Sequence, residues 1–137
     1  MASELRVDTL KDSSGNNSVG MAYVAGGSAK AWVNFNGTGT IAARDSLNLS
    51  SLADDATGVY TINFSNAFDG ANYSVSSAGM RNNSYSTNAN TIIVGIKSST
   101  DGSTLTASSV SVTTHHHSDA TNVDPLTVSV PAHGDLA

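Results

Sequence analysis

The sequence predicts an all-β fold: an antiparallel β-sandwich of about seven or eight short strands preceded by an extended N-terminal attachment segment. Three observations lead there. From Ala29 onward apolar and polar residues alternate, and turn-forming residues interrupt the alternation at roughly ten-residue spacing. The composition also starves any long helix. Of 137 residues, Ser, Thr and Asn supply 49, only 12% are charged, and there are one glutamate and three lysines, whereas long helices need Glu, Lys, Arg, Leu and Ala in bulk. The length is that of one domain with one core.

The elements follow in order, with residues 1–28 set apart as attachment segment and linker from a sandwich over 29–137. Leu5 and Val7 alternate with Arg6 and Asp8, which predicts one short strand. A strand so isolated cannot bury its apolar face alone, so Leu5, Val7 and Leu10 are the expected attachment residues. Lys11 to Ser18 is rich in breakers and predicts a turn or open loop, and Gly26-Gly27-Ser28 a hinge. Ala29, Ala31, Val33 and Phe35 share one strand face, with Lys30, Trp32 and Asn34 on the other. Asn36-Gly37 predicts a hairpin turn, with Ile41 to Arg44 returning and Leu47 and Leu49 continuing the alternation. A polar turn over Ala53 to Gly58 precedes a strand from Val59 to Phe64 with Tyr60, Ile62 and Phe64 aligned, and Tyr73 and Val75 begin another.

Asn82 to Asn90 is a polar loop. Ile92, Val94 and Ile96 alternate, and the extra Ile93 predicts a strand covered on both faces. Leu105 and Ala107 fall on odd positions and Val110 and Val112 on even ones, which predicts a bulge near Ser108-Ser109. Asp101-Gly102 has hairpin-turn chemistry. The last strand, Leu126 to Val130, is opened by Pro125 and closed by Pro131, each suited to a strand end or an edge.

Several functions are excluded on composition. A net charge of −5 with six scattered Lys and Arg does not suit a phosphate-tracking nucleic-acid binder. The absence of cysteine removes disulfide scaffolds, thiolate metal sites and Cys nucleophiles. No apolar run of signal or membrane length opens the chain, so synthesis in a cytoplasm without membrane insertion is expected. Catalysis has little to stand on: the only glutamate is Glu4, and no Gly-x-Ser-x-Gly elbow is present. The chain is therefore expected not to be an enzyme.

A more specific pointer comes from four stretches: Ala29-Lys-Ala-Trp32-Val-Asn-Phe35-Asn-Gly37-Thr-Gly39-Thr, Arg44-Asp45-Ser46-x-Asn48, Thr57-Gly58-x-Tyr60-Thr-Ile-Asn63-Phe64 and Ala71-Asn72-Tyr73. With the opening Met1-Ala-Ser-x-Leu5-Arg-Val7-Asp8-Thr9-Leu10, they span about residues 1–80. They resemble a domain found in tail fibres and fibre-like virion proteins of tailed bacteriophages, especially marine and cyanobacterial ones. The resemblance implies a homotrimeric appendage on the phage tail, attached by its N-terminal segment to other tail or baseplate proteins, with a distal part that meets the host surface. The chain departs from long fibres in having no Gly-X-Y shaft and no heptad region, which makes it a stub. A capsid decoration (cement) protein and a host-glycan-binding module are the alternatives.

Individual residues follow from that frame. Trp32, opposite the core face, is an anchor for a sister subunit or is covered by a loop of its own chain. His115 and His117 would project together if their strand continues, and three copies around an axis would bring six imidazoles to one transition-metal ion. The alternative is a solvated loop. Asn82, Asn83, Tyr85 and Asn88 combine amide groups with one aromatic ring, a mix that suits contact with sugar. Asp45, Asp54 and Asp55 lack the acidic spacing a calcium site needs and are expected to be solvated.

Overall fold

A computed structural model describes residues 3–80, 92–99 and 102–137. The described chain begins with strands β1 (Thr9–Lys11) and β2 (Ser18–Gly20) and the short helix α1 (Met21–Gly27). An antiparallel β-sandwich follows. One sheet has the order β4 (Ala42–Leu47), β3 (Ala31–Asn36), β13 (Thr127–His133), β7 (Ser74–Val75), with β8 (Ala78–Met80) on the same side of β13 as β7. The facing sheet has the order β5 (Leu49–Ala56), β6 (Val59–Phe64), β12 (Ser109–His116), β9 (Ile92–Ile96). A small ribbon, β10 (Ser98–Ser99) with β11 (Gly102–Ser103), lies where a hairpin was expected, although Asp101 itself is outside the described residues.

The core is what period-two patterning dictates, because alternate side chains of a strand point to one face. Ala31, Val33 and Phe35 of β3 and Val128, Val130 and Ala132 of β13 meet Tyr60, Ile62 and Phe64 of β6 and Val110 and Val112 of β12, all buried. Phe64, Phe68 and Tyr73 close one end as an aromatic cluster, with Phe68 stacked on Tyr73 at 4.2 Å between ring centroids. At the other end three loops are tied together. The buried Tyr60 hydroxyl donates to Asp124 Oδ1 (2.9 Å), which also accepts from the Gly58 N–H (2.6 Å), and the Gly37 N–H donates to the Pro125 carbonyl (3.1 Å).

Several elements depart from the sequence-based expectation, each for a local reason. The N-terminal strand is Thr9–Lys11, not the Leu5/Val7 stretch, and α1 runs through Gly26 and Gly27 where a hinge was expected. The chain does not reverse at Asn36-Gly37. It loops on to Ile41, and the left-handed residue is Gly39 (φ +64°). Gly37 is needed for closeness instead: a Cβ there would lie 2.6 Å from Tyr60 Oη and 2.8 Å from the Pro125 carbonyl oxygen. Leu47 and Leu49 do not share a strand. Asn48 between them is left-handed (φ +58°) and turns the chain from one sheet to the other. Its side chain holds that corner, Oδ1 accepting from the Asn66 N–H (2.7 Å) and Nδ2 donating to the Asn66 carbonyl (3.0 Å).

The expected turn over 53–58 shrinks to Thr57-Gly58, with Gly58 at φ +64°, and Asp54 and Asp55 lie on edge strand β5. The odd/even conflict after Leu105 is resolved by a turn, not a bulge. Thr106 Oγ1 accepts from the Ser109 N–H (2.9 Å), and β12 starts at Ser109 in a single register. β9 is an edge strand covered on one face only, leaving Ile93 38% exposed. Pro131 neither closes β13 nor sits on an edge, because β13 is central and runs to His133. The Pro131 carbonyl accepts from the Ser76 N–H (3.2 Å), so its missing donor faces the β7/β8 side. The ladder there breaks opposite it, β7 pairing with residues 132–133 and β8 with residues 127–129.

Two predictions follow from these constraints. Asn48→Ala forces a Cβ residue without a compensating amide into left-handed backbone and is expected to lose about 1–3 kcal/mol in urea denaturation, whereas Asn48→Gly should lose less. Burial, and then the Asp124 carboxylate, raise the Tyr60 phenol well above its ordinary 10.0, and burial pushes Tyr73 up to about 12. Folding therefore favours the neutral phenols. Their contribution is whole below the unfolded value and is lost as pH rises through it toward the folded values. Ultraviolet titration should show two tyrosines ionising late, together with alkaline unfolding, and Tyr60→Phe and Tyr73→Phe should each remove one late step.

Candidate functional site

The most exposed large apolar side chains among the described residues lie on the N-terminal unit. No described residue before Ala31 is buried. β1 and β2 pair as a hairpin with Leu10 opposite Val19, and Asp12 organises its loop. Asp12 Oδ2 accepts from Asn17 Nδ2 (2.6 Å), and Oδ1 accepts from the Asn16 N–H (3.0 Å) and Ser14 Oγ (3.2 Å). These bonds, that from Asn17 first, hold the Asp12 carboxyl below the usual carboxylate range. α1 follows with no side-chain N-cap and no buried residue. At its C-terminal end Lys30 Nζ donates to the Ala25 carbonyl and to Ser28 Oγ, placing a cation where the helix presents unpaired carbonyls.

A two-stranded hairpin and a seven-residue helix are each marginal alone in water. Yet this unit leaves Leu5 80% and Tyr23 79% exposed, and Val7, Leu10 and Val19 are exposed as well. All three expected attachment residues thus lie on an uncovered surface, with Val19 and Tyr23 added to them by the fold.

Trp32 is half-buried on the outer face of its sheet, in register with Pro131 of β13 and Leu47 of β4. Leu47 is 47% exposed, so this face carries an apolar patch. Arg44 fastens the same sheet from its edge. It is the residue skipped by the β3–β4 register, and it reaches across to the Leu126 carbonyl (2.7 Å) and Thr127 Oγ1 (3.0 Å). No pattern in the sequence marks Arg44 for that role, because the bulge exists only in the pairing. A cavity of about 10 Å³ lined by Ala31, Trp32, Leu49, Phe64 and Val110 has room for one water, not for a metabolite.

The histidines lie at the end of β12. His115 pairs with Ile93 and bridges to Asn122, whereas His117 is exposed in the turn that follows. The pair expected to share one strand face is divided between a strand and a turn. His116, on the core-facing parity, leaves its Nδ1 buried without a partner. Asp119 in the same turn accepts from the Thr121 N–H (2.9 Å), the bond that chiefly holds its carboxyl low. Among the described residues no group of three or more His, Asp or Glu is placed to hold a metal ion within one chain. Asp54 and Asp55 are neighbours on β5 and Asp45 is on β4 of the other sheet. Asn82, Asn83, Tyr85 and Asn88 lie outside the described residues.

Among the described residues no helix is long and apolar enough to cross a membrane. Comparison with protein-family models, with curated proteins and with solved structures finds no match to this chain.

Because the core begins at Ala31, a chain lacking residues 1–28 is expected to fold cooperatively. Its stability in urea should lie within about 1 kcal/mol of the whole chain's, the range of changes made away from buried groups.

Proposed function

We propose that this chain is a structural virion protein of a tailed bacteriophage, a short homotrimeric tail fibre or fibre-like tail component that attaches through residues 1–28 and presents its sandwich outward. The observation that carries this reading is the N-terminal unit, an ordered hairpin and helix whose apolar side chains are left uncovered beside a sandwich with its own complete core. That combination suits a part made to be covered by another protein. The resemblance of residues 1–80 to tail-fibre domains names the setting, with tail or baseplate proteins as neighbours.

The mechanism is assembly, with no catalytic step. Trp32, Leu47 and Pro131 offer a sister subunit an apolar patch, and Trp is a residue that dominates such contacts when desolvated. The N-terminal unit offers Leu5, Val7 and Leu10 to a neighbour. Each large apolar side chain covered there contributes about 1.5–3 kcal/mol, so a few suffice to anchor a small subunit.

Antibody labelling of intact particles is expected on the tail, and the purified protein is expected to sediment as a trimer. Label spread over the head would make it a decoration protein. A compact monomer would remove the appendage reading, and binding of that monomer on a glycan array would make it a glycan-binding module.

A further inference from the structure

We infer that residues 4–8 of one copy add a strand to the edge of β9 in the next copy, the side on which, among the described residues, no strand pairs with it. This rests on the homotrimer reading above and reassigns Leu5 and Val7 to a second copy of this chain, leaving Leu10, Val19 and Tyr23 of the N-terminal unit to the neighbouring virion protein.

The four sheet edges differ in a way that singles out β9. Edge strands of soluble proteins are guarded by charges, bulges, prolines or shortness, because an open edge recruits another strand. β4 carries Arg44, Asp45 and a register shift, and β5 carries Asp54, Asp55 and two register shifts. β7 and β8 are short and interrupted opposite Pro131. β9, Ile92-Ile93-Val94-Gly95-Ile96, has no charge and no proline, and it pairs with β12 in unbroken register over all five residues.

Its free side is also defined. The Lys97 N–H donates to the Ser111 carbonyl (2.9 Å), and backbone groups alternate sides along an antiparallel strand. Ile93 and Gly95 therefore bond to β12, and the N–H and C=O groups of Ile92, Val94 and Ile96 point outward. Ser77 Oγ donates to the Val94 carbonyl (2.9 Å) from that outward side, a side-chain bond that a ladder bond would replace.

The N-terminal segment fits this edge by side-chain parity. Leu5 and Val7 lie outside any strand and are 80% and 37% exposed. Placed beside β9 on the face of Ile92, Val94 and Ile96, they extend the apolar layer at the point where Ile96 is 40% exposed. Glu4, Arg6 and Asp8 then lie on the opposite face, which is the face of Lys97. Whichever way the strand runs, an acidic residue ends beside Lys97, since Glu4 and Asp8 flank the segment at both ends. Each copy donates one strand and accepts one. Such a head-to-tail contact closes into a ring when the rotation allows, and a ring of three is the assembly proposed above.

The chain contains no cysteine, so introduced thiols are diagnostic. Leu5→Cys chains (strand antiparallel to β9) or Val7→Cys chains (strand parallel to it) mixed with Ile96→Cys chains should form a disulfide-linked pair on mild oxidation, because paired strands bring Cα atoms within disulfide reach, about 4.4–6.8 Å. Tyr23→Cys in place of Leu5→Cys should not. Ile96→Lys, at a position 40% exposed, should leave the circular dichroism of the folded sandwich unchanged while raising the trimer dissociation constant at least about tenfold, the effect of 1.4 kcal/mol. A trimer that shows neither a Leu5–Ile96 nor a Val7–Ile96 disulfide, or that is unaffected by Ile96→Lys, overturns the inference and leaves the appendage reading standing. A doubly substituted chain that forms only an internal disulfide also overturns it, by placing the segment on its own edge. An unmodified protein that sediments as a monomer overturns both.

Discussion

Neither sheet of this sandwich can hide its apolar face without the other, and every other feature of the molecule depends on that mutual burial. Four strands, β3, β13, β6 and β12, supply most of the shared layer, and three of them come from far apart in the chain. With so few charges and so many small hydroxyl and amide side chains, little else is available to stabilise the fold. Exposed polar pairs such as Asn63 with Ser51 add little beside the burial of Phe35, Tyr60, Phe68 and the core valines.

That layer requires the chain to turn sharply both between the sheets and within them. The crossing from β4 to β5 uses Asn48, a left-handed residue braced by its side-chain amide, and the hairpin turn from β5 to β6 within one sheet uses Gly58, a left-handed residue packed so closely that a Cβ would lie 2.5 Å from the Thr114 carbonyl oxygen. The Tyr60 hydroxyl and the Asp124 carboxylate then lock the β5–β6 turn to the segment entering β13. A buried hydroxyl on a carboxylate is stronger than a neutral pair and costly to leave unmade, so these bonds fix the β5–β6 turn against the segment that enters β13.

Against this closed body the N-terminal unit and the β9 edge are unfinished. One has apolar side chains with no sheet to cover them, and the other, among the described residues, has a sheet edge with no strand paired to it. In the proposed assembly, closed core and unfinished edges divide the work, the first giving each copy its shape and the second joining the copies.

The alternation of apolar and polar residues determined by itself which side chains face inward, since a strand offers only two faces: Ala31/Val33/Phe35, Tyr60/Ile62/Phe64, Val110/Val112 and Val128/Val130 all point as the pattern requires. The same pattern placed Trp32 outward and marked Leu5 and Val7 as apolar residues in need of a cover. It could not show where strands end or which sheet they join. Leu47 and Leu49 alternate as one strand would, and only the pairing of β4 with β3 and of β5 with β6 shows that Asn48 separates them. Pro131 looked like a terminator because a proline lacks one donor. Its place in a central strand depended on the neighbouring strand being broken opposite it, an arrangement between residues more than fifty positions apart. Side-chain direction is a local property of the backbone, whereas register, sheet membership and open edges are properties of pairs of strands. The first is therefore written along the chain, and the others arise only when distant segments meet.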